Sequence, residues 1–414
     1  MESIQVESPE IERPPRVLLK LISAGFAFFV AGINDGSLGS LIPYIRHSYH
    51  IDTNMVAIVY GTTFGGWLIA ALSNSYISQY LELGVFLVLG AALQVLSHAL
   101  RAWQPPFPLF AVAFLFASLG QAFQDTYANT FVTSVNAAHR WLGFIHAMYM
   151  AGCLVGPFVS TAVASSGGYS RWNLFYTAPL GLGVVNMLLA LVAFRDLIGL
   201  RQATEEGPTT TPAESRKHNA IREMQKTVSS LSVWMVSLYF FFFLGAVITA
   251  GGWIVEYLVH VRDGNLKDMG YVPAGFYGGG FLGRLILAEP TYRLGERRMI
   301  FIYVLLCLAL ELVFWLVPNI ITEAVAISLF GFFSGPFFAT GISVASKLFA
   351  AEIRSSALAF VFVLGQVGGS IFPAVTGVIA ARAGVKVLQP ILVGLLGATG
   401  VTWLFLPKTR LHHD

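Results

Sequence analysis

Apolar runs of about 20 residues recur along the whole chain, separated by short polar or Gly/Pro-containing breaks. They lie near residues 17–45, 54–79, 84–102, 107–136, 141–165, 173–195, 228–261, 272–290, 299–317, 320–346, 354–381 and 386–406. A helix of about 20 residues rises about 30 Å, the thickness of a bilayer's hydrocarbon core, and satisfies its backbone hydrogen bonds internally. The expected fold is therefore an all-α polytopic membrane protein with twelve transmembrane helices. The longest polar stretch, Arg195 to Thr227, contains the Thr-rich Pro208 to Pro212 and falls between the sixth and seventh runs. It divides the chain into an N-terminal tail (1–16), a six-helix bundle (17–195), a central loop (196–227), a second six-helix bundle (228–406) and a C-terminal tail (407–414).

Composition removes the soluble alternative. The 414 residues are 56% hydrophobic and only 11% charged, against roughly 25% charged in an ordinary soluble domain. The formal charge of +3 is spread over the loops and forms no patch for nucleic acid. Its distribution reports orientation instead, because translocating Lys and Arg is disfavoured: with the N-terminus inside, about 17 fall on the inner side and about seven outside. Six of the inner ones, Arg195, Arg201, Arg216, Lys217, Arg222 and Lys226, belong to the central loop. Both termini and that loop are expected in the cytosol. Met1 to Arg16 carries Glu2, Glu7, Glu10 and Glu12, unlike the basic start of a signal peptide, and reads as a retained tail. We expect a monomer in the plasma membrane whose partners are lipid and a small solute. Cys153 and Cys307 lie inside apolar runs without metal-ligand spacing, so neither a disulfide framework, a metal nor a cofactor is expected.

The two halves resemble each other. Gly32-Ile-Asn-Asp-Gly with the later Ile42-Pro-Tyr44-Ile in the first run is matched by Gly245-Ala-Val-Ile-Thr with Val255-Glu-Tyr257-Leu in the seventh. Ser118 precedes Pro157 by the same number of positions as Ser334 precedes Pro373. Two related bundles place a solute site between them, near the bilayer midplane.

Two acids interrupt the apolar runs at mid-depth, Asp35 in the first and Asp125 in the fourth. Each costs about 3 kcal/mol to insert at a helix centre, which marks it as a candidate proton carrier. The bland reading is an acid facing a hydrated vestibule or capping a broken helix turn, which Asn34-Asp35-Gly36 would suit. Gln121, Asp125 and Asn129 share one helical face, a polar stripe with no value against lipid that is expected to line an aqueous path. Gln94, His146, Gln366 and Gln389 read equally well as single interhelical contacts, Glu311 as a paired acid, and Glu256 as an acid near water at a span's outer end. Arg284, near the middle of the eighth run, needs an anionic or backbone partner. Thr249 and Trp253 flank Gly251-Gly252, and Trp253 is suited to stack on a sugar or aromatic solute, or to serve packing. Gly278-Gly-Gly-Phe-Leu-Gly283 has no neighbouring strand and no Gly-Lys-Ser/Thr ending, so it fits helix packing rather than phosphate binding. No catalytic triad or metalloprotease pattern is present, and an enzyme is not expected.

These residues resemble the major facilitator superfamily. Ala151-Gly152-Cys-Leu-Val-Gly156-Pro157 is similar to its Gly-x-x-x-Gly-Pro packing motif, and Tyr292-Arg293-Leu-Gly295-Glu-Arg297-Arg298 to its Asp-Arg-x-Gly-Arg-Arg loop, with Tyr292 in place of Asp. The resemblance implies packing and gating roles for Gly152, Gly156, Pro157, Arg293, Gly295, Arg297 and Arg298. More narrowly, Asp125-Thr-Tyr-Ala-Asn129-Thr130-Phe-Val-Thr133 and Asn34-Asp35 with Leu41-Ile-Pro43 resemble the fucose permease group of sugar/proton symporters, with Thr130 where the group has Pro. Fungal relatives of that group carry an acid where this chain has Val247, within a segment that otherwise keeps Gly245, Thr249, Gly251, Gly252 and Trp253. The implied machine is a proton-driven alternating-access carrier in which Asp35 and Asp125 titrate and Asn34, Gln121, Asn129, Thr249 and Trp253 contact a sugar or related polar solute. The Phe-rich stretches Tyr239 to Phe243 and Phe330 to Phe338 fit a second reading, efflux of a hydrophobic metabolite. A non-transporting sensor is a third, for which the short tails offer little room.

Overall fold

The computed structural model describes residues 16–78, 80–167, 171–199, 222, 224–350 and 352–407. Both expected tails and most of the expected central loop lie outside them. The described chain forms helices α1 (Val17–Tyr49), α2 (Thr53–Ile77), α3 (Leu83–Ala102), α4 (Phe107–Thr133), α5 (Ala138–Gly167), α6 (Thr177–Ala193), α7 (Leu231–Val261), α8 (Val272–Ile286), α9 (Glu296–Leu316), α10 (Ile320–Leu348), α11 (Arg354–Ala383) and α12 (Leu388–Leu404). Eleven of them are long and apolar enough to cross a membrane. The twelfth, α8, has 15 residues and so rises only about 22 Å; past Leu287 the chain continues in the short helix Ala288–Leu294. Large apolar side chains such as Leu72, Leu188, Leu285, Leu305, Ile321 and Val401 are exposed around the outside, a surface that only lipid solvates. The protein is an integral, multi-pass membrane protein.

Local chemistry sets the irregularities. α10 stops at Ser334 and restarts at Phe337 because Pro336 has no N–H to give and its ring clashes with the carbonyl a turn earlier. α1 stays helical through Asn34-Asp35-Gly36, so the alternative of a broken turn there is not realised. Asp52 and Asn319 cap α2 and α10 by accepting from Met55 N and Thr322 N at 2.9 and 3.0 Å.

Packing repeats with the chain. In the first half α1 packs on α5 and α6, α3 on α4 and α6, and α2 on α4; in the second α7 packs on α11 and α12, α9 on α10 and α12, and α8 on α10. Adding six to each helix of the first set gives the second. The halves meet across α2 with α11, α5 with α8, and α1 with α7, a set that the same operation maps onto itself. This is the pseudo-twofold relation anticipated from the repeat.

Glycine makes the α1–α5 contact possible. A Cβ added at Gly32 would lie 2.0 Å from Tyr149 O, and one at Gly152 2.1 Å from Phe29 O. Backbone touches backbone there, so no larger residue fits, as in small-residue packing of membrane helices generally. Gly36 and Gly156 approach Cys153 and Ile33 in the same way, one turn on. The Gly-x-x-x-Gly-Pro motif therefore glues α5 to α1.

We call the face where α1 starts proximal and the opposite face distal. At the distal face the halves are sealed. Ser40 Oγ donates to Gly270 O at 2.8 Å, Gly39 lies against the carbonyl of Gly251, and Arg46 Nη1 reaches Glu256 Oε2 at 2.5 Å. Glu256 is wholly buried rather than water-exposed as its position near a span end implied, and it also accepts from His260 Nε2 at 3.1 Å. Among the described residues α4 makes no comparable packing across the halves and the proximal part of α10 meets the first half at the His146–Phe338 ring contact of 5.6 Å, so the halves are less tightly joined toward the proximal face.

Candidate solute and proton site

The polar stripe on α4 meets α1 through Gln121. Gln121 Nε2 donates to Asp35 Oδ1 at 3.0 Å and to Ala31 O at 3.3 Å, which places α4 against the middle of α1. One turn on, Asn129 Nδ2 donates to Asp125 Oδ1 at 3.1 Å and to the Asp125 carbonyl at 2.9 Å. Gln124 turns the other way and ties three helices together, accepting from Gln94 on α3 at 2.8 Å and Asn186 on α6 at 3.1 Å while donating to Leu87 O. Gln94 is thus an interhelical contact.

Asp35 is the hub. Oδ1 accepts from Asn34 Nδ2 at 2.9 Å as well as from Gln121, and Oδ2 accepts from Tyr149 Oη on α5 at 2.9 Å. Its donors come from α4 and α5 and its neighbours Asn34 and Gly36 are buried, yet Asp35 itself is solvent-accessible. That exposure is toward the space between the halves, since the helices bonded to it wall off the lipid. Three neutral donors stabilise a carboxylate without neutralising it.

Behind Asp35 stands a cation that the sequence reading passed over. Arg101 is wholly buried; Nη2 donates to Asn34 Oδ1 at 2.9 Å and lies 2.9 Å from His98 Nδ1, Nε donates to Ser97 O, and the guanidinium sits 4.3 and 4.5 Å from the Phe114 and Tyr176 ring centres. Asn34 therefore bridges Arg101 to Asp35. Arg101 ends an apolar run and so reads as a flanking charge, but Gln94, Ser97, His98 and Arg101 are spaced on one helical face, and that pattern was available. Tyr149 gave no such signal, because a tyrosine in an apolar helix is ordinary packing.

The remaining expected residues are more dispersed. Thr249 and Trp253 on α7 are wholly buried. Trp253 Nε1 donates to Pro373 O at 3.0 Å and its ring tilts against Tyr60 at 6.4 Å, while Thr249 Oγ1 has no hydrogen-bond partner among the described residues. In this conformation neither is brought to the Asp35 cluster. Arg293, Gly295, Arg297 and Arg298 lie at the proximal face. Arg293 bonds Glu289, Arg297 bonds the carbonyls of Leu406 and Pro407, and Glu296 between them accepts from Ser343 and Lys347 at 2.6 Å each. Gly295 has φ +101°, which favours glycine. These bonds join elements of the second half to one another. Glu311, expected to pair, is buried in α9 with both carboxylate oxygens unpartnered among the described residues. Arg284 makes one hydrogen bond among the described residues, a donation to His146 O at 3.4 Å.

Taken together, two related six-helix halves with an acid-bearing polar wall at membrane mid-depth make up the fold of a membrane solute transporter. The chain belongs to the major facilitator superfamily, whose family model matches residues 24–321 and 269–414. "Bypass of stop codon protein 6" of Saccharomyces cerevisiae is 26% identical over 437 residues, covering 100% of this chain and 87% of that protein. Among solved structures, a bacterial homolog of the human lysosomal transporter Spinster, inward-facing and unoccupied, superposes with TM-score 0.69 at 12% identity over 95% of each chain. The E. coli fucose:proton symporter FucP superposes with TM-score 0.67 at 16% identity, over 95% of this chain and 100% of its own. At these identities the structures testify to the fold alone.

Proposed function

We propose that the protein is a proton-coupled secondary transporter of a small polar organic solute, working by alternating access with the proton gradient as its energy source. The observation that carries this reading is Asp35, accessible from the space between the halves and bonded by Asn34, Gln121 and Tyr149, with Asp125 one turn from Gln121 on the same α4 face. Inserting two acids at membrane depth costs several kcal/mol, and a carrier whose cavity alternates between faces uses them to take up and release protons. Asn34, Gln121 and Asn129 offer the solute hydrogen bonds, and Thr249 and Trp253 join the site when the halves rock. The proximal face is assigned to the cytosol from the Lys and Arg distribution, which makes the present conformation open inward, and the membrane to the plasma membrane. The Phe-rich second half supports a second reading, export of an apolar metabolite through the same cavity.

In proteoliposomes with an imposed pH gradient and a panel of radiolabelled sugars, nucleosides and organic acids, the wild type should accumulate at least one solute. Asp125→Asn should abolish accumulation while leaving counterflow exchange measurable. Undiminished accumulation by the variant would sink proton coupling through Asp125.

A further inference from the structure

Among the described residues, the buried and half-buried cations are answered within the protein, with one exception. Arg101 has Asn34, Ser97 and two ring faces; Lys20 has Asp196 at 2.5 Å, Arg46 has Glu256, and Arg262 has Glu323 and the carbonyl of Trp315. Arg284 has no carboxylate among the described residues. Its one hydrogen bond is the 3.4 Å contact to His146 O, and its Nε has no acceptor.

Arg284 is also in the right place to be answered by something else. It lies at membrane depth on α8, half-buried and so reachable, where α8 crosses α5. Its one hydrogen-bond acceptor, the carbonyl of His146, stands about one turn before Tyr149 on α5, and Tyr149 is the residue that bonds Asp35. The same helix thus carries the contact to Arg284 and a donor to the proposed proton site. Phe338 lies 5.9 Å from the guanidinium, and His146 packs on Phe338 at 5.6 Å, giving an apolar platform beside the charge.

We infer that Arg284 receives the carboxylate of the transported solute, so that the solute is a small organic acid held between Arg284 on one half and the Asp35–Gln121–Tyr149 group on the other. A guanidinium is a planar donor fork matched to carboxylate, and a cation kept at this depth without an internal anion is completed by an anionic ligand. The hydroxyl and amide donors of the first half suit hydroxyl groups on that acid, and Phe338 suits its apolar part. Binding in both halves at once explains why such a solute promotes closure. One carboxylate carried with one proton moves no net charge.

This inference rests on the carrier reading for the location of the solute, but its test is equilibrium binding, which does not depend on proton coupling. Purified full-length protein in detergent would be titrated with matched acid and neutral probes, galacturonate against galactose and 4-hydroxybenzoate against 4-hydroxybenzamide, and followed by thermal shift and isothermal calorimetry. At least one acid should bind, with its neutral mate at least tenfold weaker. Arg284→Gln should abolish that preference and Arg284→Lys should keep part of it, both variants being checked for monodispersity. The proposal is overturned if no acid binds, if a neutral mate binds as well as its acid, or if Arg284→Gln, with Arg284→Lys as the folded control, leaves the preference intact. Acid recognition is read by equilibrium binding and proton coupling by accumulation, so failure of one and failure of the other are separable results.

Discussion

Arg46 and Glu256 join α1 of one half to α7 of the other, so their bond exists only while the distal ends are together. Glu256 is wholly buried and Arg46 is 24% exposed. Arg46→Gln would therefore strand a buried carboxylate whose remaining donor is His260. Removing one partner of a fully buried pair costs about 3–5 kcal/mol, whereas an exposed pair is worth under about 1. With one partner partly solvated and one bond left, we take about 2 kcal/mol, which shifts the closed-to-open ratio at the distal face about 30-fold. Spin labels at the exposed Asn54 on α2 and Arg382 on α11 would report the distance across that face by pulsed electron resonance, with both native cysteines buried and slow to label. Arg46→Gln should add a longer-distance population. Arg46→Gln with Glu256→Gln should restore much of the short one, because no buried charge is then left alone. An unchanged distribution in the single variant, or a double variant as open as the single, would refute the assignment of this pair as a distal latch.

Two further outcomes follow from the packing. Gly152→Val should prevent the α1–α5 contact, since even its Cβ would lie 2.1 Å from Phe29 O; the variant should lose monodisperse protein on gel filtration, while Gly143→Ala, with nothing within 4 Å of the added atom, should behave as wild type. Asp196, past the end of α6, is pushed up by partial burial but held below the usual carboxylate range overall by the hydrogen bond and charge of Lys20. A depressed folded value contributes stability that is present above the unfolded value and lost as pH falls through the folded one. Asp196→Asn, which leaves the buried Lys20 without its counter-charge, should thus cost about 2 kcal/mol at neutral pH. The melting-temperature gap to wild type should stay level to about pH 5 and narrow only below the ordinary carboxylate range; a gap that narrows between pH 8 and 6 would contradict the pairing.

The fold was legible because hydropathy and lipid thickness leave few choices: a long apolar run must be a helix, and each of the twelve runs is one. The break in α10 at Pro336 and the shortness of α8 were hidden, since an apolar run shows no seam where a helix stops and restarts within it. In the site, the Gln121–Asp125–Asn129 face could be read because a stripe against lipid has no other use. What spacing cannot show is which helix a face meets. Glu256 looked solvated from its place near a span end, but its burial comes from α1 crossing over it. Arg101 looked like a flank because its partners, Asn34 and the rings of Phe114 and Tyr176, stand on other helices.

The division of labour between the halves follows from the same accounting of charge. In the first half the cation Arg101 offsets the acid Asp35 through Asn34, and Asp125 is the acid left for a proton to complete under the proposed coupling. On the second half Arg284 has no carboxylate partner among the described residues, and under the inference above the solute supplies one. A cycle in which the first half takes a proton and the second takes an acidic solute leaves both halves balanced at the moment they close. A neutral solute would leave Arg284 uncompensated in the closed state. Selection for charge would then reside in closure itself, and Arg284→Gln should relax it for turnover as well as for binding.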